Sequence, residues 1–398
     1  VSEALFWSAV AIIAYAYVGF PLLLAIRSWL LPRPYAEANV EPTVTLLICA
    51  YNEGHVIGSK IANLQALDYP RDRLEVIIAS DGSDDDTEQI VASCGDPRVR
   101  LLALSRHGKI PTLNAAAAEA RGEVLVFSDA NSMLARDALR QLVRPFADPA
   151  VGGVAGDQRY AIAVGASGER TYWSVDRSWK NWQSRAGSVT SATGALYAIR
   201  ANLFRPIPHG VTDDFVNSTG VLVAGRRLVF AQTAAAYETP VATNGAEFQR
   251  KVRLITRGLH GVTVQRELLN PFRHGFYALQ LFSHKVLRRL VIIPLLVLAA
   301  VTPFLWAEGI VYRVALVGQL SFYGVAVIGA LLEARKLEVP GMVTLPFYFC
   351  VVNFAALVAA GNVIRGRRID RWQPPRHRES RPGVESPART IAVPGGGV

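Results

Sequence analysis

The chain has 398 residues, 51% of them hydrophobic, and a formal net charge of +10 from 42 Lys and Arg against 32 Asp and Glu. That length holds one sizeable soluble domain plus a membrane portion. The basic residues gather beside uncharged apolar runs, a pattern that points to anionic lipid rather than nucleic acid, and no RNA- or DNA-binding motif accompanies it. Cys49, Cys94 and Cys350 are too dispersed for a disulfide framework or a zinc site.

In chain order, Ala4 to Ile26 is uncharged and long enough to span a bilayer, which takes about 20 residues. It lacks a basic leader and a small-residue cleavage site, so it reads as a retained anchor rather than a secretory signal. Arg27 and Arg33 follow it. From about Pro42 to Thr243 the composition turns mixed and globular. Val44 to Ala50 is a continuous apolar run, as expected of a strand buried on both faces. Ile57, Ile61, Leu64 and Leu67 recur at helical spacing, closed by Asp68-Tyr69-Pro70.

Leu74 to Ser80 predicts a second buried strand, ending at Asp81-Gly82-Ser83. A helix over Asp84 to Ala92, a strand over Val99 to Leu104 and an Ala-rich helix over Ile110 to Ala120 follow. Glu123 to Ser128 is the fourth strand, and Ala135 to Phe146 another helix. Alternating helices and buried strands predict a parallel-dominated α/β sheet, with ligands beyond the C-terminal strand ends. Asn52, Glu53, Asp81 and Asp129 all stand there.

Asp129-Ala130-Asn131 is the most informative of these places. Oxygen-bearing side chains at i and i+2 of extended backbone point the same way, so both can face one hard divalent ion and the phosphates it carries. Asp129 and Asn131 are therefore the candidate ligands for Mg²⁺ or Mn²⁺; the Asn amide contributes an oxygen but no charge.

After Glu247 the pattern changes again. Val252, Ile255, Leu259 and Val262 form an apolar stripe while Arg250, Lys251, Arg253 and Arg257 supply charge, as in a helix lying in a membrane interface. Leu290 to Ala307, Val314 to Leu332 and Val339 to Ile364 are uncharged runs of near-spanning or spanning length. Lys285, Arg288 and Arg289 precede them, and Arg365, Arg367, Arg368 and Arg371 follow. The tail beyond about Pro382 has a disordered composition.

The order of motifs resembles inverting family-2 glycosyltransferases of GT-A fold. It runs Ala50-Tyr51-Asn52-Glu53, Ser80-Asp81-Gly82-Ser83, His107-Gly108-Lys109 with Leu113-Asn114-Ala115, Ser128 to Asn131, Gly194 to Arg200, and Thr212-Asp213-Asp214. The membrane-embedded, polysaccharide-synthase-like branch is the look-alike, over roughly Val44 to Arg257 plus the flanking apolar runs.

The resemblance implies an α/β GT-A nucleotide-sugar-binding domain inserted between transmembrane helices, one N-terminal and about three C-terminal. The corresponding segments are an N-terminal span over 1–30, the GT-A domain over 42–246, interfacial amphipathic helices over 247–285, further spans over 286–364 and a basic, partly disordered tail over 365–398. Three later spans would put the Arg-rich tail opposite the catalytic domain, against the positive-inside tendency, unless one run is interfacial or re-entrant.

It also implies roles. Ala50, Asn52, Glu53, Asp81, Lys109, Asp129 and Arg253 fall on donor-binding positions. Asp81 would meet the nucleoside, or else cap a helix, and Lys109 would face the diphosphate. Asp214 matches the general base and Asp213 the acid before it. Thr193 and Gly194 fall where the sugar and acceptor lie. Trp182, like Trp179, suits either a sugar face or a membrane interface.

The polymerising members' Gln-x-x-Arg-Trp becomes Arg250-Lys251-Val252-Arg253-Leu254, which keeps the cation and loses the aromatic platform. The implied protein is a multi-pass enzyme of the cytoplasmic membrane with its catalytic domain facing the cytoplasm. It takes a UDP-sugar to a lipid-linked or glycan acceptor in envelope or exopolysaccharide synthesis, beside polysaccharide assembly or export proteins. The rival readings are a processive synthase-translocator and a catalytically silent export subunit.

Overall fold

The computed structural model describes residues 1–160, 167–238, 247–335, 337 and 339–367. Most of the basic tail falls outside them. The first strand, β1 (Val44–Ala50), is buried at every position, as its unbroken apolar run requires. Helix α2 (Gly54–Gln65) follows the N-terminal helix α1 (Ser2–Leu30) and precedes β2 (Leu74–Asp81). Then come α3 (Thr87–Ala92), β3 (Val99–Leu104), α4 (Lys109–Ala118) and β4 (Val124–Phe127). The helix expected over Asp84 to Ala92 is shorter because the acidic residues at 84–86 tie down the loop before it. Asp85 accepts from the amides of Gly54 and Thr87.

The remaining domain elements are β5 (Met133–Leu134), α5 (Ala138–Val143), β6 (Val151–Tyr160), α6 (Ser167–Ala186), β7 (Tyr197–Arg200), α7 (Asp213–Val223) and β8 (Arg227–Glu238). One sheet in the order β3-β2-β1-β4-β7-β6-β8-β5 carries them all. Strands β1 to β4 are parallel, as expected, but β7 enters antiparallel to both β4 and β6. The second half of the sheet is therefore mixed rather than parallel-dominated. Since Tyr197 pairs with Phe127, the segment leading into β7 crosses the C-terminal end of β4, and Gly194 arrives beside Asp129.

Two apolar layers enclose the sheet, one around Leu46, Ile48 and Ile78, the other around Leu47, Ile77 and Phe127. Helix α8 (Glu247–Val264) joins the domain to the apolar helices. Its stripe is covered by protein rather than left for an interface. Val262 belongs to the second layer with Phe215, Phe248 stacks on Phe354, and Thr256 meets Asn362 at 3.5 Å.

Among the described residues three helices are long and apolar enough to cross a membrane: α1, α11 (Ile310–Ala334) and α12 (Gly341–Ile364). The run expected as a further span is instead a bent pair, α9 (Phe276–Leu290) and α10 (Ile292–Glu308), meeting at 47°. Two C-terminal helices and one broken pair thus stand where about three spans were expected. Phe6 of α1 packs between Leu305 and Tyr312, which ties the first apolar helix to the later ones.

Gly122 shows how closely β1 and β4 begin. A Cβ there would lie 2.4 Å from the Thr45 backbone nitrogen, an atom that cannot swing aside. Gly122→Ala is expected to destabilise the domain by about 1–3 kcal/mol through overpacking. A denaturation midpoint equal to wild type would show that the strands yield there.

Candidate active site

The C-terminal ends of β1, β2 and β4 and the start of α7 converge on one charged crevice. Its central group is Lys109, the first residue of α4. Its Nζ donates to Asp129 Oδ1 at 2.9 Å and pairs with Asp213 Oδ2 at 3.0 Å. Burial opposes the Lys109 charge, but the two carboxylates outweigh it and raise the pKa well above the ordinary lysine value.

Asp213 and Asp214 open α7 after Thr212, where the helix N-terminus favours negative charge. They are adjacent but held differently. Burial would raise Asp213, yet Lys109, with help from Arg257, keeps it below the usual carboxylate range. Asp214 is pushed up to about 6 by burial and by the Asp213 charge, against Lys285 and Lys109. Its Oδ1 accepts from the Phe215 amide at 2.7 Å. The Lys285 ammonium lies 5.5 Å from the centre of the Phe215 ring.

Asp129 keeps about a third of its side chain exposed (35%), and its amide donates to the Gly194 carbonyl at 3.1 Å. Gly194 is required by closeness: a Cβ there would stand 2.6 Å from Asp129 Oδ2. Thr193 Oγ1 is buried with no hydrogen-bond partner among the described residues. Asn131 is exposed. Among the described residues no group of three His, Cys, Asp or Glu side chains could hold a metal ion. One carboxylate and one amide oxygen nevertheless suit an ion that arrives on phosphate oxygens, since Mg²⁺ is commonly held by one or two carboxylates plus the substrate's phosphates.

Asp81 is fully buried. Its Oδ1 accepts from the amides of His107 and Gly108, both at 2.8 Å, and from Thr112 Oγ1 at 3.1 Å. Arg106 reaches its Oδ2 at 3.3 Å and stacks over the Tyr51 ring. Asp81 thus anchors the loop that opens α4, one helix further along than the capping alternative considered from the sequence. Asn52 adopts a left-handed backbone (φ 54°); its side-chain amide donates to Asp84 Oδ1, and its Oδ1 accepts from the Asp84 backbone amide at 3.0 Å. Glu53 is pushed up to about 7 by burial and by Asp129 and Asp85. Ala50 is buried at the end of β1.

Arg253 has no hydrogen-bond or ion-pair partner among the described residues, whereas Arg257, one turn on, donates to the Val211 carbonyl at 2.8 and 2.6 Å and braces the turn before Asp213. Leu254 is 47% exposed and Trp182 37%. Trp179 packs on Phe20 of α1 and on His284, facing the apolar helices. The sequence points to neither Arg106 nor the buried Lys60, and it places Arg257 only among the charges of an amphipathic helix. Of the first two, only Lys60 carried a signal that could have found it, a charge in step with Ile57, Ile61 and Leu64.

The sequence model described as Glycosyl transferase family 2 matches residues 45–207. A beta-monoglucosyldiacylglycerol synthase of Synechocystis is 36% identical over 127 residues, 31% of this chain and 26% of that protein. A poly-beta-1,6-N-acetyl-D-glucosamine synthase of Staphylococcus aureus is 24% identical over 238 residues, 57% of each chain. The chain thus spans between about a quarter and just over half the length of these relatives. The mannosyltransferase PcManGT of Pyrobaculum calidifontis, solved with GDP-Man and Mn²⁺, superposes with a TM-score of 0.67 at 24% identity, over 92% of this chain and all of that one. Residues 45–207 match glycosyl transferase family 2, and the sheet with the helices around it has the GT-A-like fold of the mannosyltransferase.

Proposed function

We propose that the protein is a membrane-bound inverting glycosyltransferase that moves a sugar from a nucleotide-sugar, a UDP-sugar in our reading, to a lipid-linked or glycan acceptor. The observation that carries this is the asymmetric pair at the start of α7. Asp213 is neutralised by Lys109, while Asp214 has no ion-pair partner among the described residues and is pushed up to about 6. A carboxylate poised close to neutrality is what general-base removal of a hydroxyl proton needs.

In the reaction the acceptor oxygen bonds to the anomeric carbon, the bond to the diphosphate breaks, and Asp214 takes the hydroxyl proton. Asp213 positions Lys109, whose charge and the α4 N-terminus face the departing diphosphate. Asp129 and Asn131 would hold a Mg²⁺ or Mn²⁺ that supplies further countercharge to that leaving group. The Mn²⁺ complex of the similarly folded mannosyltransferase supports such an ion. Asp81, Asn52 and Glu53 border the nucleoside end. Gly194 and Thr193 line the sugar end, with Trp182 toward the acceptor. Arg253, with no hydrogen-bond or ion-pair partner among the described residues, is left to the donor.

The glucosyldiacylglycerol synthase supports a lipid acceptor, and the polysaccharide synthase a glycan one. We place the enzyme in the cytoplasmic membrane, with its catalytic domain on the cytoplasmic side and envelope polysaccharide proteins as partners. Leu254, where polymerising members carry Trp, favours a single or short-chain transfer. Mass spectrometry should therefore find short products, and a high-molecular-weight polymer from the isolated protein would refute that part.

Asp214→Asn should lower transfer about 10²–10⁴-fold while nucleotide affinity holds, and Asp213→Asn should be milder. Because the base acts only when deprotonated, wild-type activity should fall as pH drops through about 6. Lys109→Met, which removes a charge that lowers the Asp214 pKa, should move that limb upward. A normal Asp214→Asn enzyme beside an inactive Asp213→Asn one would exchange the two roles.

Gly194→Ala should displace Asp129 and weaken donor binding with Mn²⁺ more than donor binding without it. Titration calorimetry checks this. Equal affinities with and without the methyl group would show that the carboxylate has room to move.

A further inference from the structure

Lys60 stands on the buried side of α2 with its whole side chain enclosed. A desolvated ammonium is strongly unfavourable unless its protons are accepted. Here its Nζ donates to Ser128 Oγ at 2.9 Å and to the Ser132 carbonyl oxygen. These residues are the first and last of Ser128–Ser132, the turn that leaves β4, enters β5 and carries Asp129 and Asn131. Both hydrogen bonds end on that one turn.

The turn is fastened outward as well. Ser128 Oγ donates to the Ala195 carbonyl at 2.9 Å, next to Gly194. The Ser132 hydroxyl donates to Glu238 Oε1, and Gln158 donates to the other Glu238 oxygen at 2.6 Å. Burial pulls the Lys60 pKa down to about 7, opposed by the nearby Asp129 and Glu238 charges. An Ile or Met would fill this helix face without desolvating a charge, so packing does not account for a lysine.

We infer that Lys60 is a positioning residue whose ammonium ties the two ends of the Ser128–Ser132 turn together and so holds Asp129 and Asn131 toward a metal-bound diphosphate. The inference rests on the site reading given above, and it assigns Lys60 no contact with substrate. Groups that orient a metal's ligands from behind typically matter about 10–100-fold in metal affinity.

The test compares the full chain in detergent with its Lys60→Met variant, using UDP with and without Mn²⁺ in titration calorimetry and hydrogen exchange across the 128–132 peptide. In Lys60→Met the gain in UDP affinity brought by Mn²⁺ should shrink about 10–100-fold. Metal-free UDP affinity should hold, and exchange should rise at 128–132 but not in β1 or β2. A wild-type metal gain with wild-type exchange overturns the inference. So does an equal loss of affinity with and without Mn²⁺ together with raised exchange throughout the sheet, which would make Lys60 a support of the fold.

If Lys60→Met does not fold, Ser128→Ala removes one of the two acceptors and decides by the same measures, with a smaller loss in the same direction expected. If the wild-type protein binds no UDP under either condition, the donor reading fails separately. The exchange comparison then decides for Lys60 alone, and unchanged protection at 128–132 rejects it.

Discussion

One ammonium joins the two halves of this site. Lys109 Nζ bridges Asp129, at the end of the parallel half of the sheet, to Asp213, at the start of α7. Two carboxylates that close would repel each other if both were ionised without a cation between them. With Lys109 in place, Asp213 is held in its charged form, and the cost of crowding passes to Asp214, whose pKa rises. The chemical difference between two adjacent aspartates thus comes from which one reaches the lysine. The bridge also fixes the distance between the end of the sheet that carries Asp129 and the helix that carries Asp214, which any direct displacement between two substrates requires.

The braces around this bridge come from elements far apart in the chain. Arg257 holds the Val211 carbonyl, Asp81 holds the loop that starts α4, and Lys60 holds the turn that carries Asp129. Each is a buried or half-buried charge whose hydrogen bonds end on backbone or side-chain groups of a loop. Loops depart easily from a required geometry; these are pinned from behind by charge-assisted bonds, the stronger class of hydrogen bond.

Much of this was legible because buried parallel strands advertise themselves. Val44 to Ala50 and Leu74 to Ser80 are unbroken apolar runs, and the polar residues after them must lie at the strand ends. The mixed half of the sheet was not legible, because Tyr197 to Arg200 is too short to declare its direction and β7 takes it only from pairing with β4. Arg253 and Arg257 lie four apart on one helix, so periodicity puts them on one face and only tertiary packing shows that Arg257 reaches Val211. Lys60 could have been found: it falls in step with Ile57 and Ile61, and a charge on an apolar stripe needs a partner. The partners, Ser128 and Ser132, lie too far along the chain for any local pattern to name them.

The bend between α9 and α10 bears on the placement in the membrane. Counted as a span, the pair puts the Arg-rich residues after α12 on the side opposite the catalytic domain, against the positive-inside tendency. Counted as a broken or re-entrant element, it leaves α1, α11 and α12 as the crossings, and domain and basic tail share one side. Tyr277 and Gln280 of α9 hydrogen-bond to the backbone of Thr190 and Ser188, so the start of the pair is bound to the catalytic domain. Lys285 lies over the Phe215 ring of α7, and Arg289 lies against Gly258 of α8. The cations of this segment lie against α7 and α8, so the bent pair is bound to the same helix that begins with Asp213 and Asp214.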